Sequence, residues 1–197
     1  MSTHQHNRGA TLLITLIMLS VCMLLGTASA NLSQINQKAA RNGRDHEMAL
    51  QAAEAALHDA LLDLKRWRGS TRHFPEQAGC TTTGLCLSDG AALWRRVDLA
   101  TTSTAYGDIT GRIFPHGSGS MAAQTPRYLI ELLRLPITRP NTENKTLLRY
   151  RITAIGYGPR QHSQVLLQTI HAVSADDSGI LQTGRRLSWR EIVDLKP

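Results

Sequence analysis

The chain has 197 residues, is 42% apolar and carries a formal net charge of +7. That leaves room for one soluble domain once a hydrophobic start is set aside, and it excludes a disordered chain. The basic excess falls mostly after residue 70, and no more than two basic residues are ever adjacent. No nucleic-acid patch interleaved with aromatics is therefore legible, and the Arg-rich surface reads as a solvated face.

No charged side chain occurs between Arg8 and Lys38. The run ATLLITLIMLSVCMLLGTASA, from Ala10 to Ala30, spans about 31 Å as a helix, enough to cross a bilayer. It is longer than the roughly 7–15 apolar residues of a secretory signal, yet Ala28-Ser29-Ala30 fits a signal-peptidase site. On these residues alone, a retained span and a signal cut after Ala30 both stand. Cys22, a lone thiol inside the run, behaves as a small hydrophobe.

Residues 31–40 are polar and helix-compatible, and a helical period follows in which Ala49, Ala53, Ala56 and Ala60 recur at three and four. Leu57, Leu61, Leu64 and Trp67 flank that stripe, and Glu54, Asp59, Asp63 and Arg66 fall largely off it. Gly43 is the most flexible point, where Asp45 offers a cap for a restart, and Gly69 ends the pattern. The expectation is one helix from Ala10 to Arg68, apolar all round at first and then on one side. An anchor followed by a separate core helix is the alternative.

The stretch from Gly69 to Pro126 reads as irregular. Within it, CTTTGLC places Cys80 and Cys86 six residues apart, and outside the cytoplasm a disulfide between them is expected. The rival metal site has no second ligand pair, His73 being isolated. Gly117–Ser120 has linker composition. Three strands are expected, at 127–135, 147–158 and 164–173, the first two alternating with period two and the third mixed. Residues 185–193 add a further strand or edge. Together these predict an α+β fold with an antiparallel sheet, solvated on one face and packed on the helical stripe with the other. The loop 136–146 is an exposed candidate for contacts, and Asp176-Asp177 reads as a solvated turn rather than a cation loop. His58 lies one turn from Glu54 as a surface neighbour. No nucleophile elbow, P-loop, zinc-helix or dinucleotide motif occurs, so neither an enzyme nor a cofactor or metal is expected.

The junction Arg8-Gly9-Ala10 resembles that of type IV pilins. RGATLLITLIML, NGRDHEMALQAAEAAL, CTTTGLC, YRITAIGYG and GRRLSWREI resemble, more closely, the PilX family of minor pilins. The resemblance implies a type IV pilin-like fold with a leader at 1–9. Residues 10–30 would form a membrane and then filament-core helix, 31–68 its amphipathic continuation, and 69–197 a periplasmic sheet domain. It implies that a prepilin peptidase cuts between Gly9 and Ala10 and methylates Ala10. The chain would be a single-pass inner-membrane protein that reaches the pilus tip on assembly. Implied partners are other minor pilins, the major pilin, a tip adhesin and the inner-membrane assembly platform, with no specific nucleic acid. Major pilins carry Glu at the fifth mature position, which is Ile14 here. The implied role is a tip or priming subunit that initiates assembly and supports adhesion and motility. Two alternatives are the tip subunit of a type II secretion pseudopilus and a basic binding domain secreted after cleavage at Ala30.

Overall fold

The computed structural model describes residues 8–90, 92–117, 121–134, 147–160, 162–174 and 184–193, with side chains except at 8–10 and 147. Helix α1 (Arg8–Asp63) is 56 residues long and passes into a π-helical turn at Leu64–Arg68. It runs through Gly26 and Gly43 without a break, because the residues around them are mostly good helix formers such as Ala, Leu, Met and Gln. Asp45 therefore caps no restart; its carboxylate accepts a hydrogen bond from Arg160 Nε instead. The chain divides into two compact units, residues 1–44 and 45–197. Among its described residues, the first is helical throughout.

The second unit carries a seven-stranded sheet. Its strands are β1 (Gly79–Cys80), β2 (Leu85–Ser88), β3 (Thr104–Ala105), β4 (Arg127–Leu133), β5 (Leu147–Tyr157), β6 (Gln164–Ser174) and β7 (Arg185–Ile192). The spatial order is β1-β2-β4-β5-β6-β7, and β3 pairs with β4. All pairings are antiparallel except β2 with β4. The α+β class expected from the sequence is the class observed, and β4 to β7 fall within two residues of the expected strands.

Period-two alternation sends Tyr128, Ile130, Tyr150, Ile152, Val165 and Leu167 to one face, where they pack on the Ala stripe of α1. Ala49, Ala53, Ala56 and Ala60 are completely buried there. Small residues let the helix backbone approach the sheet closely, and Gly156 completes the fit. A Cβ at Gly156 would lie 2.1 Å from Ala49 O and 2.3 Å from Ala53 N.

The opposite face differs from expectation: around Leu129, Ile155, Tyr157 and Leu166 it is covered, not solvated. Residues 79–105, expected to be irregular, form β1, β2, a 3-10 turn at Leu93–Arg95 and the short helix α2 (Leu99–Thr102). Leu93 and Trp94 pack there with Cys86, Leu129, Ile155, Tyr157 and Leu166. Glu131, Thr153 and Gln168 on that face are buried and paired. Glu131 Oε1 accepts from Leu93 N at 2.9 Å and pairs with Arg151 at 3.4 Å. Thr153 Oγ1 accepts from Gln168 Nε2, and Gln168 Oε1 accepts from Arg190 Nη2 at 2.7 Å. Polar alternation thus marks a buried hydrogen-bonded layer, which period alone does not distinguish from a wet one.

One further expectation shifts at the end of the helix. The π-turn adds a residue, so Arg68 reaches inward to Asp63 while Trp67 is 44% exposed. The helix ends at Gly69 as expected, and the Gly69 carbonyl accepts the Tyr150 hydroxyl at 2.6 Å.

Candidate functional site

In the first unit, Leu12, Leu13, Leu16, Ile17, Met18, Leu19, Leu24 and Leu25 project from α1 at 53–71% exposure. The hydroxyls among them are turned back on the helix. Thr15 donates to Leu12 O, Ser20 to Leu16 O, Thr27 to Leu24 O and Ser29 to Leu25 O, all at 2.8–3.0 Å. A helix that satisfies its own polar groups this way suits hydrocarbon, where no water would. The helix is long and apolar enough to cross a membrane. Ile14 lies in this stretch, 56% exposed, and Cys22 is an exposed free thiol. Gly9 and Ala10 lie in the first turns of α1.

In the second unit, Cys80 and Cys86 are joined by a disulfide, and they face each other across the β1–β2 pairing. The loop between them turns at Gly84, whose φ of +74° is left-handed, and its carbonyl accepts Ile130 N. The bond thus ties the hairpin to the sheet beside β4.

Asp59 and Asp63, expected off the helical stripe, are fully buried. Asp63 accepts two hydrogen bonds of 2.9 Å from Arg68 Nε and one of 3.0 Å from the Tyr128 hydroxyl. Arg68 also donates to Thr83 O and Thr104 Oγ1. Asp59 accepts from Gly107 N and Thr110 Oγ1, with Arg112 at 3.7 Å. Burial, reinforced by Asp63, pushes the Tyr128 hydroxyl far above its ordinary pKa. Asp63 raises the Arg68 guanidinium although burial alone would lower it. These bonds join the helix end, Thr83, Thr104 and β4 into one buried structural knot. It pins the 69–126 stretch to the helix. A signal was available: Ala49, Ala56 and Asp63 recur every seven residues, which places Asp63 on the stripe.

Among the described residues no group of three or more metal-ligating side chains comes together. Glu54 and His58 line one side of a surface cleft without pairing to each other in any observed bond. His4, His6, Ser118–Ser120, residues 136–146 and Asp176-Asp177 lie outside the described residues. What the arrangement offers is surface: an unpaired apolar helix in one unit, and a sheet domain with a knotted loop layer in the other.

The comparisons with known proteins agree with that description. The family model for the C-terminal part of the type IV pilus assembly protein PilX matches residues 36–173, and the model for the PilX N-terminal region matches residues 8–58. No curated protein matches the chain, and no solved structure does. The two family matches run from Arg8 to Val173, across the apolar helix and most of the sheet: the chain belongs to the type IV pilus assembly protein PilX family.

Proposed function

We propose that the chain is a minor pilin of the tip or priming complex that initiates type IV pilus assembly and so supports adhesion and motility. The carrying observation is the exposed, acid-free apolar stretch of α1, with Ile14 at the position where a major pilin has Glu. In this reading a prepilin peptidase cuts between Gly9 and Ala10, methylates Ala10 and leaves the helix in the inner membrane. The sheet domain then sits in the periplasm, an oxidising compartment that suits the Cys80–Cys86 bond.

Transfer of such a helix from lipid to a filament core exchanges one apolar surrounding for another and is nearly neutral in hydrophobic terms. Packing fit selects the neighbours, other minor pilins and the major pilin. A separate motor at the assembly platform supplies direction. A carboxylate in hydrocarbon is costly unless it meets a partner charge. A subunit with no neighbour above it gains nothing from one, which accounts for an aliphatic residue at position 14.

The test is immunogold labelling of sheared pili with an antibody to the sheet domain. Label at one end of each filament is expected. Label along the whole shaft, or membrane-bound protein with none on pili, contradicts the proposal. Ile14→Glu should move part of the label into the shaft; an unchanged distribution would remove the electrostatic part of the argument.

A further inference from the structure

One cleft in the second unit has no part in the account above. It encloses about 490 Å3 between the 54–65 face of α1 and strands β6 and β7. Its floor is apolar, made by Leu57, Leu61, Leu64 and Val173. Thr169 and His171 also line it, with Thr169 Oγ1 and His171 Nε2 themselves buried beneath its surface.

The rim is cationic. Lys65 and Arg186 line the cleft with exposed side chains, against the single carboxylate of Glu54. Burial, together with Arg186 and Lys65, lowers the His171 pKa below its ordinary value, so its ring is neutral at neutral pH. The cleft also opens along β7, which ends the sheet, and whose residues 185–190 are exposed. An apolar floor and an excess of positive charge form one recognition pattern: a greasy anchor with an anionic group beside it.

We propose that this cleft receives, from a neighbouring pilin-type subunit, an apolar side chain that adjoins a carboxylate. The apolar chain lies against Leu57, Leu61 and Val173, and the carboxylate meets Lys65 and Arg186. The identity of the partner as a filament subunit rests on the function proposed above; the chemistry of the cleft does not.

Zero-length cross-linking of intact pili and membranes with a water-soluble carbodiimide tests this. The reagent takes up the water released as an amide forms between Lys65 Nζ and a carboxylate within contact distance. Mass spectrometry is expected to map Lys65 to an Asp or Glu next to an apolar residue of another pilin-type subunit. Leu61→Trp keeps the lysine but fills the floor, and should cut the yield about tenfold, the loss of one buried aliphatic anchor. Arg186→Glu alters an exposed side chain and should do the same, which covers the case in which Leu61→Trp lowers Tm. Coupling of Lys65 only to Glu54 of its own chain, or a free Lys65 in protein that co-purifies with pilus subunits, overturns the inference. Coupling to a lipid acid, or yields unchanged in both variants, overturns it equally. Absence of the chain from pilus-subunit complexes overturns the filament reading, and this partner with it.

Discussion

Residues 11–35 and 45–63 belong to one helix, yet Leu12, Leu19 and Leu24 of the first stretch are 70–71% exposed while Ala49, Ala53, Ala56 and Ala60 of the second are fully buried. The first stretch has bulky side chains on every side and no charge; the second has small ones on one side and three buried aspartates, Asp45, Asp59 and Asp63. Large aliphatic groups projecting all round suit contact with lipid or with other helices, and their stabilisation is realised only outside the chain. Small groups on one stripe suit close docking within the chain, where Gly156 lets strand and helix backbones meet. Size and position of side chains, on an unchanged backbone, divide the helix between assembly and folding.

The sharpest way to break that division is to spoil the close approach. Gly156→Ala sets a Cβ against backbone atoms that have no rotamer to yield, and should cost about 4 kcal/mol, at the upper end for single substitutions. Thermal unfolding of the full chain in detergent micelles reads this as a large fall in Tm; a Tm within a few degrees of wild type would mean that the stripe does not dock as described. Asp63→Ala comes next. It strands Arg68 and the Tyr128 hydroxyl in a buried setting and should cost roughly 3 kcal/mol in the same measurement. Cys80→Ser with Cys86→Ser releases a short loop and should cost about 2 kcal/mol. Equal Tm values for the reduced wild-type chain and the double variant would confirm that the bond is the cause.

A pH series probes the second face of the sheet. Burial raises the Glu131 carboxyl above its ordinary value near 4.5, outweighing Arg151 and the backbone bond from Leu93. Between 4.5 and that raised value the folded chain holds more protons at this site than the unfolded one. Its favourable share is complete below 4.5 and is lost as pH rises through the raised value. Wild type should therefore gain stability relative to Glu131→Gln as pH falls from 7 towards 4.5, and parallel curves would contradict a buried carboxyl. The smallest effect belongs to the exposed side of the comparison. Gly43→Ala meets nothing within 4 Å and should stabilise the helix by about 0.5–1 kcal/mol, the reverse of Gly156→Ala.

The legible and illegible parts of the fold differ in how far their causes reach along the chain. The Ala stripe and strands β4 to β7 repeat over many residues, so their period carries them. Strands β1 and β3 are two residues long and show no period; they exist because β2 and β4 are there to pair with them. Glu131, Thr153 and Gln168 look like a wet face in sequence because their partners, Leu93 and Arg151 for Glu131 and Arg190 for Gln168, lie on separate stretches of chain. Burial of Asp59 and Asp63 likewise depends on partners at residues 68–128, although the seven-residue spacing from Ala49 and Ala56 hints at Asp63. Of the candidate site, the apolar span was readable from composition. The proposed Gly9-Ala10 junction and the proposed role of Ile14 rest on family resemblance, since neither has distinctive chemistry of its own. The cleft beside β7 had no sequence signature, because it joins residues 54–65 to residues more than 100 positions away, on β6 and β7.

The most direct measurement is the intact mass of the mature chain recovered from cell membranes and pili. The account predicts a polypeptide that begins at Ala10, carries one added methyl group and retains the whole apolar stretch of α1. A mature mass that begins at Asn31 would contradict it.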